Sequence, residues 1–442
     1  MRVVRQTAAT NRVETASPAA NEALPQDSLG WTLLLAARVL AAVHNGRSLA
    51  EGLPALAGEL PATRAAVQEI VYGVLREFAR GPAILARLMT KPLTHAETQA
   101  LLLAALYRLE SRPEATHTVV DQAVKAAGEL AGGVFKGLVN GVLRNFLRQR
   151  ETLLAQLAGN DEVRFQHPAW WLARVRRTYP EQWPTMMAAG NGLPPMTLRV
   201  NGRHGTRDAY LQRLAEAGLA ARAVGIAGVT LATPVAVEAL PGFAQGDVSV
   251  QDAGAQRAAE LLAPTDGLRV LDACAAPGGK TAHLLELADV DLLALDIDAQ
   301  RARRVEENLR RLNLPATVKV ADCAAVGEWW DGRPFDAILA DVPCSASGVV
   351  RRHPDIKHLR RESDIRRFAA TQAAIADALW PLLKPGGKML YATCSVFVEE
   401  NSGQIDAFLY RHPDAERVGE EQLVPDPEHD GFYYALLVKR AA

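Results

Sequence analysis

The sequence of 442 residues lacks any run of about 18 apolar residues, which is the length that a membrane-spanning helix needs. Its first 20 residues mix arginine, threonine, asparagine and glutamate, so they do not have the apolar core of a signal peptide. We therefore expect a cytoplasmic protein with no membrane partner.

Cysteine is scarce. The four cysteines are Cys274, Cys323, Cys344 and Cys394, all in the C-terminal half. No two of them form a C-x-x-C pair, so we expect no zinc site and no other metal centre. In a reducing compartment thiols are more common than disulfides, so we expect four free thiols.

A strong charge of either sign is also missing, because the formal net charge is −1. The average hides an asymmetry: residues 1–200 carry 22 basic and 16 acidic side chains, whereas the remainder carries 27 and 34. A second basic cluster spans 351–367, where seven basic residues accompany three acidic ones. Such clusters are typical of surfaces that contact nucleic-acid phosphates, although a solvated helix face explains the N-terminal surplus equally well.

Two familiar glycine motifs are absent, the dinucleotide motif G-x-G-x-x-G and the phosphate loop G-x-x-x-x-G-K-[ST]. The sequence has instead V-L-D-A-C-A-A-P-G-G-K at Val270–Lys280. This pattern predicts a buried strand, a tight turn and a helix. Free N–H groups at a helix N-terminus, next to glycines without side chains, suit a nucleotide-like ligand.

Four more apolar strands are predicted after this turn, at 292–297, 317–320, 335–340 and 388–392. They alternate with helical stretches such as 300–312 and 365–383, which predicts an α/β Rossmann-like domain over 251–442. Ligands bind such sheets beyond the carboxyl ends of the strands. The polar residues that follow the strands are Asp296, Asp298, Asp322, Asp341, Cys344, Thr393, Cys394 and Ser395. We therefore expect these side chains to meet in one crevice.

The N-terminal half has a different pattern. Residues 1–26 show no periodicity and predict a disordered tail, whereas 27–160 repeat apolar residues at helical spacing and predict an all-α bundle. On its last helix Lys136, Asn140, Arg144 and Arg148 are spaced by four and share one face. That stripe is either an RNA contact or simply a solvated face.

Residues 161–250 predict a linker followed by a small α+β module. The linker interleaves aromatic and basic residues, and we favour packing between domains over base stacking for its tryptophans Trp170, Trp171 and Trp183. The module is predicted from short strands at 196–201, 224–232 and 247–251 and a helix at 206–217. Its strands show no stacking aromatics, so we assign it no base-reading role.

The motifs D-A-C-A-A-P-G-G-K, D-V-P-C-S at Asp341–Ser345 and T-C-S at Thr393–Ser395 together resemble the RNA (cytosine-5) methyltransferases that use S-adenosylmethionine. The resemblance covers the C-terminal half. The segments G-V-V-R-R-H-P-D-I-K at Gly348–Lys357 and E-E-N-S at Glu399–Ser402 are similar to the bacterial enzymes of this family that act on small-subunit ribosomal RNA. The helical region resembles the NusB-type RNA-binding fold, and the small module resembles an RNA-recognition-like extension of the methyltransferase domain.

This resemblance implies methyl transfer to carbon 5 of a cytosine in 16S ribosomal RNA, cytosine 967, either in free RNA or in an assembling small subunit. It also implies a monomer. Carbon 5 becomes nucleophilic only after a thiolate adds to carbon 6, so the chemistry requires a cysteine in the crevice. The residues alone do not rank Cys344 and Cys394, because each follows a strand end.

The resemblance does rank them. It implies that Cys394 is the nucleophile and that Cys344 assists breakdown of the covalent intermediate and product release. It implies that Asp341 contacts the methionine end of the cofactor and the cytosine edge, and that Lys280 lies close to the reacting groups. The intact set argues against a non-catalytic fold.

Further roles follow from the same resemblance. The residues expected to wrap the cofactor are Cys274, Ala275, Ala276, Pro277, Gly278, Gly279 and Lys280. Asp296 is expected to hold the ribose and Asp322 the adenine, with Asp298 as a second candidate for the ribose. Arg351, Arg352 and His353 are candidates for RNA contact because they lie just after Cys344, and Lys136, Arg144 and Arg148 because of the spacing described above. One departure from the family pattern is Val398, which stands where a proline often precedes E-E-N.

Three alternatives remain beside this interpretation. The first is the same chemistry on another RNA, because the active-site motifs read no sequence. The second is a ribosomal RNA-binding or antitermination factor with an inert methyltransferase fold. The third is a DNA methyltransferase, which would use the cysteine of the Pro-Cys pair, Cys344; the NusB-like region and the T-C-S motif disfavour it.

Overall fold

The computed structural model describes residues 24–441. The predicted tail over 1–26 therefore lies almost wholly outside the described residues. Within the described range, no helix has the length and apolar character that crossing a membrane requires.

Seven helices form the N-terminal region, as the apolar periodicity predicts. They are α1 Leu29–His44, α2 Leu49–Gly52, α3 Pro61–Arg76, α4 Arg80–Leu88, α5 Ala96–Ser111, α6 Thr116–Gly128 and α7 Lys136–Leu157. Ser28 begins α1 by accepting a hydrogen bond from the Trp31 N–H, and Pro61 occupies the first turn of α3, where a missing N–H costs nothing. The buried leucines and valines of these helices form one continuous core.

The predicted linker is helical. Its helices are α8 Asp161–Phe165, α9 Ala169–Thr178 and α10 Trp183–Asn191. Trp171 is completely buried and packs edge-on against Phe397 of the C-terminal region, with 5.2 Å between ring centroids. Trp183 lies under the guanidinium of Arg176. Trp170 and Trp171 therefore pack between regions, as the sequence favoured, whereas Trp183 packs within the linker on Phe165 and Arg176.

The small module is a four-stranded antiparallel sheet in the order β2-β3-β1-β4. Its elements are β1 Thr197–Val200, α11 Arg207–Glu216, β2 Ala221–Val224, β3 Gly228–Leu231 and β4 Val248–Val250. The strand predicted at 224–232 is confirmed only over β3. Its start is wrong, because the chain turns at Gly225, whose φ of 55° favours glycine, and pairs β2 with β3 as a hairpin.

The C-terminal region has a seven-stranded sheet in the order β10-β11-β9-β8-β5-β6-β7. Its elements are α12 Ala253–Leu262, β5 Arg269–Asp272, α13 Gly279–Leu287, β6 Asp291–Asp296, α14 Ala299–Leu312, β7 Thr317–Val320, β8 Phe335–Asp341, α15 Ile356–Leu359, α16 Glu362–Leu379, β9 Leu383–Thr393, α17 Ser402–Arg411, β10 Ala415–Leu423 and β11 Phe432–Lys439. Strands β5 to β9 are parallel, which confirms the Rossmann-like prediction, whereas β10 and β11 are antiparallel and were not predicted.

The strand order places the site. The chain runs outward from β5 through β6 to β7 and then returns to the other side of β5 with β8 and β9. The order therefore reverses between β5 and β8, and in such sheets a crevice opens at the carboxyl ends of the strands on either side of the reversal.

Candidate active site

A cavity of about 690 Å³ lies at the carboxyl ends of the parallel strands. Its polar lining includes Cys274, Asp296, Arg301, Asp322, Cys323, Asp341, Cys344, His353, Thr371 and Cys394. The convergence predicted for the residues after the strands is therefore present, with the exception of Asp298 and of the threonine and serine beside Cys394. The wall opposite the strands is formed by α16 through Thr371, Ala374 and Ile375.

The two candidate nucleophiles are in contact. The Sγ atoms of Cys344 and Cys394 are 3.4 Å apart, on the loops that follow β8 and β9. The hydrogen bond to Cys394, and then burial, raise the pKa of the Cys344 thiol well above its ordinary value. A raised pKa keeps Cys344 in its protonated form, in which its S–H can donate to the Cys394 sulfur.

Lys280 and Asp341 form an ion pair beside the thiols. The Nζ of Lys280 donates to Oδ2 of Asp341 over 2.6 Å, and the lysine side chain is only 14% exposed. Burial alone would lower the pKa of Lys280, but Asp341 and Cys394 reverse the effect and raise it. The site therefore holds a fixed positive charge close to the sulfur atoms.

Only part of the predicted cofactor loop faces the cavity. Cys274 and Ala276 line it. Gly278, with a φ of 95°, faces α14 instead, because a Cβ there would lie 3.1 Å from the Cα of Val305. The expectation that Gly278 leaves room for a ligand is therefore corrected: it allows a close approach between helices. The carbonyl of Gly279 accepts a hydrogen bond from Arg199 of β1.

Asp296 and Asp298, at the end of β6, have different roles. Asp296 is buried and accepts hydrogen bonds from the N–H groups of Ala276 and Asp298, so the turn after β5 is joined to the end of β6. Asp298 accepts from the N–H of Arg301 and caps α14. Asp298 also does not line the cavity, so its candidacy for the ribose is corrected.

One buried acid at the site was not singled out from the sequence. Asp272, the last residue of β5, is buried and accepts a 2.6 Å hydrogen bond from the hydroxyl of Thr281. Its other carboxylate oxygen has no hydrogen-bond partner in the described structure. Burial and the nearby Asp341 raise the pKa of Asp272 to about 7, despite the bond from Thr281. Asp272 is the first residue of the motif D-A-C-A-A-P-G-G-K, which could have drawn attention to it. The sequence does not show that its carboxyl is buried.

The basic cluster at 351–367 is partly inside the protein. Arg351 is 2% exposed, with its guanidinium paired to Asp430 and bonded to the carbonyl of Asp426. Arg352 pairs with Asp430 over 2.5 Å and with Asp252 over 2.8 Å. The expectation that these two arginines bind RNA is corrected, because their guanidinium groups already neutralise buried carboxylates.

Other members of the cluster remain accessible. Arg361, Arg366 and Arg367 are exposed, and the guanidinium groups of Arg360 and Arg367 lie 5.2 and 6.0 Å from the ring centroid of Phe368. His353 is exposed and lines the cavity. A basic surface with one aromatic ring therefore runs along the start of α16 toward the cavity.

The predicted stripe on α7 also faces solvent. Lys136, Arg144 and Arg148 are exposed and Asn140 is half-buried. Asn140 and Arg144 line a surface depression between α6 and α7, together with His117 and Asp121. The geometry leaves these side chains free to meet a partner.

Three protein families match consecutive parts of the chain. The NusB family matches residues 32–148, and the ferredoxin-like domain of RsmF/B-like methyltransferases matches residues 167–238. The family described as 16S rRNA methyltransferase RsmB/F matches residues 259–438, which hold the whole lining of the cavity.

Curated relatives match nearly the full length. The ribosomal RNA small subunit methyltransferase B of Serratia proteamaculans is 48% identical over 411 residues, which cover 90% of this chain and 96% of that protein. The protein of the same name from Salmonella arizonae is 45% identical over 421 residues, covering 92% and 98%. Among solved structures, PH0851 has a TM-score of 0.77 at 22% identity, covering 94% of this chain and 99% of that one, and shows the fold alone.

Proposed function

The chain belongs to the RsmB/F family of 16S rRNA methyltransferases, and from that premise we propose that it transfers a methyl group from S-adenosylmethionine to carbon 5 of a cytosine in 16S ribosomal RNA. By resemblance the target is cytosine 967. The observation that carries this proposal is the contact of two thiols from separate strand ends beside a lysine–aspartate pair. Cytosine-5 chemistry needs a nucleophilic sulfur, and this is where the fold places its ligands.

The residues present fit the cofactor. The cavity has acids at the ends of β6 and β7, Asp296 and Asp322, with the apolar Ile297 between them. Carboxylates accept hydrogen bonds from ribose hydroxyls and from an adenine amino group, and an apolar side chain suits a purine face. When bound, S-adenosylmethionine supplies an electrophilic methyl group. In this proposal Asp296 binds the ribose and Asp322 binds the adenine. The backbone of Cys274 and Ala276 forms the wall of the cofactor site.

In this proposal the two thiols have different roles, Cys394 as nucleophile and Cys344 as proton donor. The Cys394 thiolate bonds to carbon 6 of the cytosine, and the electron pair of the 5,6 double bond makes carbon 5 enamine-like. The Lys280–Asp341 pair opposes the charge that develops on the ring around N3. After methylation a base removes the proton from carbon 5, and the carbon–sulfur bond to Cys394 breaks. Cys344 is close enough to give the departing sulfur a proton.

The RNA must present an unstacked base to reach these groups. In our proposal the exposed basic residues of α16 and the stripe on α7 hold the RNA backbone, and His353 stands at the cavity. We propose that the protein acts as a monomer in the cytoplasm, on free RNA or on an assembling small subunit. These contacts are electrostatic and read no sequence, so the same chemistry on another RNA is the nearest alternative.

The test uses 16S ribosomal RNA that contains 5-fluorocytosine. Carbon 5 then carries fluorine in place of the hydrogen that is normally removed as a proton, so the enzyme cannot be eliminated and the covalent adduct persists. Wild type, Cys344→Ala and Cys394→Ala are incubated with this RNA and S-adenosylmethionine, and protein–RNA adducts that resist denaturation are counted. We expect an adduct with wild type and Cys344→Ala but none with Cys394→Ala.

Each other outcome has a meaning. The reverse pattern would make Cys344 the nucleophile. Adducts on a different RNA would replace the substrate, and the crosslinked nucleotide would identify it. If wild type forms no adduct with any RNA, the non-catalytic RNA-binding alternative replaces the enzyme.

A further inference from the structure

The two catalytic thiols come from loops that are distant in sequence. Cys344 follows β8 and Cys394 follows β9, yet their sulfur atoms are 3.4 Å apart. Each cysteine is followed directly by a serine, Ser345 and Ser395, and both serines are completely buried. Neither serine lines the cavity, so contacts through these serines can join the two loops outside the cavity.

One carboxylate contacts both serines. Glu400 is completely buried, and its Oε1 accepts hydrogen bonds from the Ser345 N–H at 2.7 Å and the Gln372 amide at 3.1 Å. Its Oε2 accepts from the hydroxyls of Ser345 and Ser395, each at 2.5 Å. A single carboxylate thus bonds the residue after each cysteine.

The rest of the junction is polar as well. The Ser347 hydroxyl contacts the Ser395 hydroxyl at 3.0 Å and accepts from the Val396 N–H, while the Gly348 N–H donates to the Cys394 carbonyl at 2.8 Å. The neighbour of Glu400, Asn401, donates to the Ser395 carbonyl. Both loops are therefore part of one hydrogen-bonded unit, with Glu400 accepting from each.

Glu400 has no cation to neutralise it among the ion pairs of the described residues. Burying a carboxylate costs free energy even when donors surround it, and apolar packing would be an easier way to fill the space. Glu400 does not line the cavity, so it does not touch substrate. Its charge adds to the effects that raise the pKa of the Cys344 thiol.

We propose that Glu400 is a positioning residue that fixes the Cys344 loop against the Cys394 loop and so keeps the two thiols in contact. The inference rests on the proposed function, because it concerns the thiols of that reaction. Without the carboxylate the loops separate or the serines turn, and the sulfur atoms lose their alignment while the cofactor end of the cavity is unchanged.

The main variant is Glu400→Gln, which keeps the shape but replaces one acceptor by a donor and removes the charge. The matched control is Tyr391→Phe. The Tyr391 hydroxyl bonds the backbone carbonyl of Glu400 and the Gln372 amide, and its loss leaves both serines bonded to the carboxylate. A second variant, Ser395→Ala, removes the hydroxyl on the Cys394 side, with its bonds to Glu400, Ser347 and the Phe397 N–H, and leaves the bonds between Ser345 and Glu400 in place. It serves if Glu400→Gln does not fold.

Three quantities are measured. The first is the rate of adduct formation with 5-fluorocytosine RNA. The second is the rate at which glutathione disulfide crosslinks Cys344 to Cys394, read by peptide mapping, which reports how close the thiols are. The third is the affinity for S-adenosylmethionine without RNA, by calorimetry. For Glu400→Gln we expect about a tenfold loss in the first two, since small misplacements cost this much, and less than about a twofold change in affinity.

Tyr391→Phe should leave all three quantities within about threefold of wild type. Unchanged adduct and crosslinking rates in folded Glu400→Gln, or in Ser395→Ala where that variant serves instead, would overturn the proposal. Equal losses in all three quantities would also overturn it, because they indicate a general disturbance of the domain. The crosslinking needs neither RNA nor methyl transfer, so it tests the positioning role even if the proposed function fails.

Discussion

The helical region and the methyltransferase region bury different kinds of side chain. Over residues 24–157 the buried polar side chains of the described structure are three threonines, Thr32, Thr63 and Thr98. From residue 259 to 441 the interior holds carboxylates, arginine, lysine, histidine, serines and amides. The core of the helical region only has to pack apolar side chains. The interior of the methyltransferase region must also hold charged groups and thiols at fixed positions. The difference implies that substitutions in the two interiors should fail in different ways.

The largest effect should come from a residue that contributes almost nothing to folding. Cys394→Ala should lower single-turnover methyl transfer by about 10⁴-fold, because in the proposed mechanism it removes the nucleophile and leaves only binding and electrostatics. The melting temperature should stay within about 2 °C of wild type, since one half-buried sulfur is lost. Transfer of labelled methyl groups and calorimetry measure the two. A fall in both the methyl-transfer rate and the melting temperature would show that Cys394 also contributes to stability, against the contrast between the two regions.

Next is the buried ion pair of Arg351. Arg351→Met removes the guanidinium and leaves Asp430 buried with less compensation, so unfolding should become easier by about 3–5 kcal/mol. The salt dependence of RNA binding should not change, because Arg351 does not reach solvent. Urea unfolding measures the first effect, and Arg366→Met, on an exposed residue, is the control. A stable Arg351→Met with weakened RNA binding would restore the RNA contact inferred from the sequence.

In the helical region the corresponding test is apolar. Leu102 is completely buried on α5, and Leu102→Ala should cost about 2–5 kcal/mol of unfolding free energy through lost contacts and a cavity. The methyl-transfer rate per folded molecule should be within about twofold of wild type, because Leu102 lies in the helical core. Measuring both quantities in one preparation separates stability from catalysis. A large loss of rate would show that the helical core also shapes the cavity.

A pH-dependent effect sharpens the comparison where the regions meet. Lys357 is buried against the carbonyl of Arg76 and the amide of Asn191, and burial, with the charge of Arg76, lowers its pKa from 10.5 to about 7. Between these values the unfolded chain binds more protons than the folded one, so this group makes stability rise with pH, by up to about 1.4 kcal/mol per unit. Lys357→Met should remove that slope in urea unfolding at pH 7, 8 and 9. The same slope in both proteins would show that Lys357 stays charged.

The smallest effect should be on the surface of the helical region. Arg144→Ala should weaken RNA binding only a few-fold and lower the slope of log affinity against log salt by about one, because one phosphate contact is lost. Stability should be unchanged. Fluorescence anisotropy over a salt series measures the slope, with Lys91→Ala, another exposed base, for comparison. An unchanged slope would identify the stripe as a solvated face.

The sequence predicted more of the fold than of the polar interior. Helical periodicity alone places the buried residues of α3, such as Val67, Ile70 and Val74. The parallel strands were recognisable as short apolar runs, and the rule that ligands meet their carboxyl ends brings together Asp341, Cys344 and Cys394 without any coordinates. These features follow from local pattern and general topology.

What the sequence did not show depends on partners far along the chain. Arg351 reads as a surface base until Asp430, brought near by the unpredicted antiparallel strand β11, neutralises it. Asp298 reads as a ligand residue until the start of α14 shows it to be a cap. The glutamate of E-E-N-S reads as one of several acids, and only the fold shows that its carboxylate joins two loops.

Arg199 sets a limit on how this protein can be shortened. Its guanidinium, fully buried, comes from β1 of the small module and bonds both carboxylate oxygens of Glu286 at 2.7 Å and the Gly279 carbonyl at the start of α13. A fragment that began at α12 would retain every residue that lines the cavity. It would also leave the Glu286 carboxylate without its arginine partner and facing a vacated surface, on the same helix α13 that carries Lys280. The smallest useful expression fragment for the catalytic half should therefore begin before β1, and a module exchanged between homologues should bring an arginine at this position.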